Sequence, residues 1–437
     1  MPIADGTNDA SAARDQVDLA ARVRQFQLSG DVADLWPGVT GAAVAAARVE
    51  IERVIRELLR GTSSAPVRLI ADDRDARVFS CAAFACGAGA LLGFWIEQQR
   101  VTAPAPLAAL LLEQLSHNRQ YAARVERDLA PVLDAFAALG IAPLVIKGAH
   151  TARTYWDDVG VRPIADVDVV VPVDRIADAE RALTDVGFEP RGTALDTPYK
   201  RDWVPPDGVR SPMSIERPDA RNPWQIDLHV SLDQDFGCGA FARLDGMRAS
   251  TSDLVLAGRH VLAPVEPLTL LLLATHAARH LDSMRLFRII EIIEVIRRDT
   301  RAGRLDWEQV IDALRVTQSA GYAYPLLHLA EQLVPGTVDP HVLQLCASAA
   351  PWGVRHTVRR MVPSGASAHH GLVREFMWAR HPADLARRVV ARARARDALP
   401  RRKRWMRLAR RALDGLISIG APDERAITSS GGRAPRR

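Results

Sequence analysis

Two aspartates, Asp166 and Asp168, stand two residues apart in the apolar run Ile164-Ala165-Asp166-Val167-Asp168-Val169-Val170-Val171. Alternation along such a strand puts both carboxylates on one face. Held that close they repel, and each raises the other's proton affinity unless a cation lies between them. A divalent ion resolves the conflict. Mg²⁺ prefers oxygen and commonly takes one or two carboxylates together with substrate phosphates. Asp227 sits in a second run of the same texture, Trp224-Gln225-Ile226-Asp227-Leu228-His229-Val230, and offers a third carboxylate to the same metal edge. Two Mg²⁺ ions bridged by three carboxylates can activate an attacking hydroxyl and stabilise a departing pyrophosphate.

The phosphate side of such a reaction has its own candidates. Lys147-Gly148 lies between a short β-prone run, 142–146, and a helical stretch, 149–156. Backbone N–H groups at a helix start favour an anion, and glycine lets the backbone approach it closely. Lys147 would neutralise a phosphate as a point charge, and Arg162, four residues before Asp166, would add a second cation. His229 follows Asp227 by two residues, on the same strand face, where it either orients an acceptor or hydrogen-bonds a carboxylate. His276 and His280 are one helical turn apart, with Glu291 and Glu294 downstream. With those glutamates they hint at a metal, although no H-E-x-x-H pattern accompanies them. A D-x-D pair or a Lys-Gly taken singly arises often by chance. Their order along the chain carries the weight.

These residues need a frame. Strand 142–146, helix 149–156, strand 164–171 closed by Pro172, helix 174–186 stopped by Gly187 and strand 224–230 make a compact α/β unit. Before it, apolar residues recur at three- and four-residue spacing over 16–60, 107–115 and 125–139, with Gly140 as a stop. The apolar run 78–96 is rich in Ala, Gly, Cys and Ser, and reads as one buried helix rather than a membrane span. After the α/β unit, 266–298, 307–314 and 322–333 are helical in pattern.

The expected division is a disordered N-terminus at 1–15, a helical region at 16–140, a catalytic core at 141–262, a helical substrate-side region at 263–335, a basic helical region at 336–420 and a disordered tail at 421–437.

The stretch Leu144-Val145-Ile146-Lys147-Gly148-Ala149-His150, then Arg162-Pro163-Ile164-Ala165-Asp166-Val167-Asp168, then Ile226-Asp227-Leu228-His229, resembles the uncharacterised nucleotidyltransferases of the DNA polymerase β superfamily. The resemblance spans residues 40–330. It implies an α+β fold, with a polymerase β-like α/β core of mixed sheet flanked by N- and C-terminal helical regions. It also implies Mg²⁺-dependent transfer of a nucleoside monophosphate from an NTP, such as ATP, to an acceptor hydroxyl. Asp166, Asp168 and Asp227 would be the metal ligands, and Asp227 would help deprotonate the acceptor. A substrate-pocket role for His276 and His280 is implied only by the same resemblance. The superfamily's usual Gly-Ser reads Gly148-Ala149 here, so a hydroxyl contact to phosphate is replaced by Lys147.

Composition bounds the alternatives. Hydrophobic residues at 48% and charged residues at 25% describe a folded chain, and aromatics at 5% leave a core of Ala, Leu, Val and Ile that leans to helix. Four scattered cysteines show no zinc spacing. The polar, acidic start is unlike a signal peptide, so a bacterial cytoplasmic location is expected. The net charge of +5 suits phosphorylated partners and is equally what Arg-rich, GC-rich coding yields. Twelve basic residues between Arg387 and Arg411, with Trp405, Met406, Leu408 and Leu413 among and beside them, would contact RNA, an anionic membrane or an acidic partner, or dock on the protein itself. The acceptor would be a small molecule, a peptide or a protein, and no stable partner is expected. A catalytically inactive nucleotide-binding module of the same fold is the competing function. The missing G-x-x-x-x-G-K-[ST], H-R-D and D-F-G motifs argue against a kinase-like phosphotransferase.

Overall fold

The computed structural model describes residues 31–61, 65–191, 200–205, 224–236, 240–281, 284–365 and 377–378, with 21–22, 25–26 and 29. The expected terminal segments 1–15 and 421–437 and the basic stretch 387–411 lie outside the described residues. The chain divides into two compact units. One comprises Met1–Ser231 with Thr251–Pro264, the other Leu232–Ser250 with Val265–Arg437.

After a single helical turn at Val32–Leu35, the first unit builds helix α1, Gly41–Arg60. The Thr40 side chain accepts from the Ala43 N–H at its start, and Gly61, with φ of 65°, ends it in the left-handed conformation. Strands β1 (Val67–Arg68) and β2 (Val101–Thr102) pair in parallel around helices α2 (Ala76–Cys86) and α3 (Gly89–Glu97). The single buried helix expected over 78–96 is therefore two, bent by 114° at the break. Gly87 causes it by adopting a φ of 77°, which ends a helix at little steric cost. Among the described residues no single helix is long and apolar enough to cross a membrane, although this bent pair passes by length and composition. The expected stretches 107–115 and 125–139 join into one long helix, α4, Ala105–Ala138.

The rest of the first unit is a mixed sheet with helices on one face. In chain order come β3 (Leu144–Ile146), α5 (Lys147–Thr154), β4 (Asp166–Val170), α6 (Ile176–Asp185), β5 (Glu189–Pro190), β6 (Lys200–Val204) and β7 (Gln225–His229). In the second unit, β8 (Gln234–Asp235) and β9 (Phe241–Ala242) pair with each other. The hairpin β10 (Thr251–Leu256) and β11 (Arg259–Pro264) then returns to the first unit's sheet. The seven strands run in the order β10-β11-β3-β4-β7-β6-β5. An α+β fold with a mixed sheet is thus observed, and helix dominates it. The expectation did not include β5, β6 or the β10–β11 hairpin.

Alternation divides the sheet's two faces by chemistry. Val145, Val167, Val169, Trp203, Ile226 and Leu228 join the core formed with Val125, Leu129, Val132, Leu133 and Phe136 of α4 and Ala179, Ala182 and Leu183 of α6. The intervening residues Asp166, Asp168, Lys200, Asp202, Gln225, Asp227 and His229 point to the opposite face, because successive strand side chains alternate. Burying one apolar face against two helices fixes which residues the other face presents.

Among its described residues, the second unit is helical apart from β8 and β9. It contains α7 (Leu268–Arg279), α8 (Leu286–Arg301), α9 (Trp307–Val316), α10 (Ala320–Leu333), α11 (Pro340–Ala349) and α12 (Trp352–Val358). The continuous helical pattern over 266–298 is broken between α7 and α8, where no glycine or proline marks the end. Phe236 stacks on Tyr322 with ring centroids 3.8 Å apart, and Trp378 packs against both. At the mouth of α7, the buried Glu266 lies against Asp299 of α8, and Asp299 is also bonded by Arg304 Nε at 2.8 Å.

Candidate active site

The strand register brings the carboxylates together. β4 and β7 are parallel neighbours, with Asp166 opposite Gln225, Asp168 opposite Asp227 and Val170 opposite His229. β6 lies antiparallel on the far side of β7, with Lys200 opposite His229 and Asp202 opposite Asp227. On the other side, Ile146 of β3 is opposite Asp168, so Lys147 emerges beside it. Asp168 is 4% exposed and Asp227 3% exposed, and His229 and Lys147 are buried with them.

Each buried carboxylate carries its own cation. Asp168 Oδ1 accepts from Lys147 Nζ at 2.5 Å and from His229 Nε2 at 2.9 Å. Asp227 Oδ1 accepts from Gln225 Nε2 at 2.8 Å, and Oδ2 pairs with Lys200. Lys200 Nζ also lies 3.1 Å from Asp202 Oδ1, so it bridges two opposed acids. The sequence reading sent Lys147 to phosphate; in the structure its ammonium bonds Asp168. Lys200, Asp202 and Gln225 were missed. The segment of Lys200 and Asp202 reads as polar and proline-rich, with only their alternation to signal a charged strand face, whereas Gln225 lies in the run around Asp227 and was given no role.

Burial and repulsion act in the same direction on these acids. Asp227 is pushed well above the ordinary carboxylate range, first by burial and then by Asp168 and Asp166. Asp166 is raised by burial and then by Asp168, against the pull of Lys147, Arg162 and Lys200. Burial lowers His229, which is therefore neutral and donates Nε2–H to Asp168. Burial alone would lower Lys200, but Asp227 and Asp202 outweigh it and hold the ammonium protonated.

Backbone conformation sets the approach to this cluster. Lys147 has a φ of 54°, left-handed for a residue with a Cβ, where β3 turns into α5. A Cβ at Gly148 would overlap the Arg162 guanidinium, so the glycine lets Arg162 lie where it does and answers no left-handed φ. Arg162 Nη1 donates to Pro163 O at 2.7 Å. The preceding turn is tied down from α4. Arg119 Nε donates to Asp158 Oδ2 at 2.7 Å and Nη1 to Glu97 at 3.0 Å, while Asn118 Nδ2 donates to Gly160 O at 3.1 Å.

Asp168, Asp227 and His229 present ligand atoms within 4.8 Å of one another, the one such group among the described residues. Asp166 shares their strand face without belonging to that group. Buried, mutually repelling oxygens now held by two lysines are a donor set that suits a divalent cation. His276 and His280 are at the end of α7, in the second unit, with ring centroids 4.7 Å apart. They belong to no metal-ligating group among the described residues.

A family model described as uncharacterised nucleotidyltransferase matches residues 73–335. No curated protein and no solved structure matches the chain.

Proposed function

The chain belongs to the uncharacterised nucleotidyltransferase family, and from that premise we propose that it transfers a nucleoside monophosphate from an NTP to an acceptor hydroxyl with Mg²⁺. The observation that carries this reading is the register of Asp168 with Asp227 on adjacent parallel strands, buried beside Asp166 and crowded with cations. The proposal includes a polymerase β-like arrangement of the sheet and an acceptor that is a small molecule, peptide or protein.

Asp168 and Asp227 would hold the ion, with Asp166 beside them on the same strand face. Bound there, Mg²⁺ supplies charge neutralisation for the acids and for the phosphate chain. In the transfer, the acceptor oxygen forms a bond to the α-phosphorus while the α–β bridging bond breaks and pyrophosphate leaves. The acceptor's proton passes to Asp227, whose raised proton affinity brings it nearer to the working range of a general base. Lys200, less buried than Lys147, shifts its ammonium towards Asp202 and frees Asp227 Oδ2. Arg162, held over Gly148, takes up phosphate charge. His229 keeps Asp168 oriented through its Nε2 hydrogen bond.

Label position tests the reaction. Full-length protein, Mg²⁺ and NTPs labelled at the α-phosphate, incubated with heat-inactivated cell extract as the source of acceptor, should yield labelled product absent from the extract alone, whereas γ-labelled NTPs should label only pyrophosphate. Transfer of the γ-label to a product would overturn the reading in favour of a phosphotransferase.

A further inference from the structure

The three carboxylates led to an expectation of two divalent ions, and the geometry around Asp168 tells against the second. Ions of a two-metal site stand roughly 3.5–4 Å apart. Three carboxylates hold two such ions only if one of them bridges, and a bridging carboxylate gives one oxygen to each. Asp168 has the position to bridge, with Asp227 opposite it and Asp166 two residues along. Its Oδ1, however, is engaged twice, by Lys147 at 2.5 Å and by His229 at 2.9 Å. A carboxylate oxygen has two lone pairs, and those two donors use both on Oδ1.

The two lysines differ in how firmly they are held. Lys200 has a side chain 28% exposed and a second acid, Asp202, to move to. The Lys147 side chain is 8% exposed, and its backbone is fixed at a φ of 54° between β3 and α5. Glycine would adopt that φ without steric cost, so a lysine there must be offset by what its side chain does. What it does is neutralise Asp168. Asp168, Asp227 and His229 also form a single cluster of ligand atoms, with Asp166 outside it.

We propose that this centre takes one divalent ion, held by Asp168 and Asp227, and that the Lys147 ammonium is its permanent second cation. This rests on the nucleotidyltransferase reading above, and it replaces a mobile ion by a tethered one. Losing Lys147 would then open a second ion site rather than simply weaken the first.

Mn²⁺ replaces Mg²⁺ as a paramagnetic probe, and tripolyphosphate carries the phosphate chain common to all NTPs. Equilibrium dialysis of the full chain with both should give one Mn²⁺ per chain, with the resonance spectrum of an isolated ion. Lys147→Gly, which suits the local φ, should bind two, with a spin-coupled spectrum. Lys147→Met provides the same count should the glycine variant not fold. Two coupled ions in the wild-type chain would overturn the proposal, as would a single ion in a folded Lys147 variant. No bound Mn²⁺ in the wild-type chain would overturn both the proposal and the metal-dependent reading beneath it.

Discussion

At the scale of single residues, the centre is an array of paired charges, and each substitution acts on a partner as well as on itself. Asp168→Asn keeps an Oδ1 acceptor for His229 but leaves the Lys147 ammonium buried without its countercharge. Leaving a buried ion unpaired costs about 3–5 kcal/mol, and losing a charged contact of this kind costs roughly 100-fold or more in rate. The expected outcome is loss of α-label transfer together with a lowered melting temperature. Adding Lys147→Met to Asp168→Asn should restore much of the stability and none of the transfer. A double variant that melts no higher than Asp168→Asn would show that the two groups are not energetically coupled.

Among the elements, close approaches at glycine sort positioning from packing. A Cβ at Gly148 meets the end of the flexible Arg162 side chain, whereas a Cβ at Gly93 of α3 meets the backbone carbonyl of Leu111 in α4. Gly148→Ala should therefore melt close to wild type and weaken NTP binding several-fold by displacing Arg162, as calorimetry would register. Gly93→Ala should destabilise the fold by about 1–3 kcal/mol, the usual cost of overpacking, with binding by the folded fraction unchanged. Equal effects of the two substitutions on binding would remove Arg162 from the phosphate site.

The acid pair at the mouth of α7 gives the second unit a pH dependence. Glu266 is raised well above its ordinary value, by burial first and then by Asp299. A carboxyl with a raised folded pKa binds more protons folded than unfolded, so its contribution to stability is present below the unfolded value and is lost as pH rises through the folded one. Glu266→Gln keeps an oxygen for the Leu270 N–H and supplies an N–H for Asp299. Its melting temperature should exceed wild type above neutral pH and converge with it near pH ~4, by an amount of at least about 1 kcal/mol at the alkaline end. An advantage that stays constant across pH would place the effect in packing instead.

For the molecule as a whole, what was legible in the sequence follows from the range of the signal. The D-x-D alternation, the strand around Asp227 and the helix start at Lys147 are local patterns, and the strands lie where they were expected, with Asp168 and Asp227 in register. Lys200 was missed because its meaning depends on β7, to which it is bound across a segment of ordinary polar composition. The pairing of Lys147 with Asp168 was missed for a related reason: a phosphate and a carboxylate make the same demand on an ammonium. The break between α2 and α3 was legible in Gly87 and was overridden by the apolar run around it. The units themselves could not be read, since the chain leaves the first after Ser231, returns for Thr251–Pro264 and leaves again. A fragment ending at Ser231 lacks the hairpin that covers β3, and should aggregate or melt without cooperativity. Joining 251–264 to it through a flexible linker should restore a cooperative transition, and identical behaviour of the two fragments would make the hairpin dispensable.

That return of the chain sets an order in time. Leu144 pairs with Leu262, so β3, the strand that launches Lys147, has its outer neighbour synthesised roughly 120 residues later. At about 5–20 residues per second, the ribosome leaves that edge uncovered for on the order of ten seconds. By the end of that interval the nascent chain carries all three aspartates. Until the hairpin arrives, β3 is an uncovered edge, and an uncovered edge is a template for pairing with another chain.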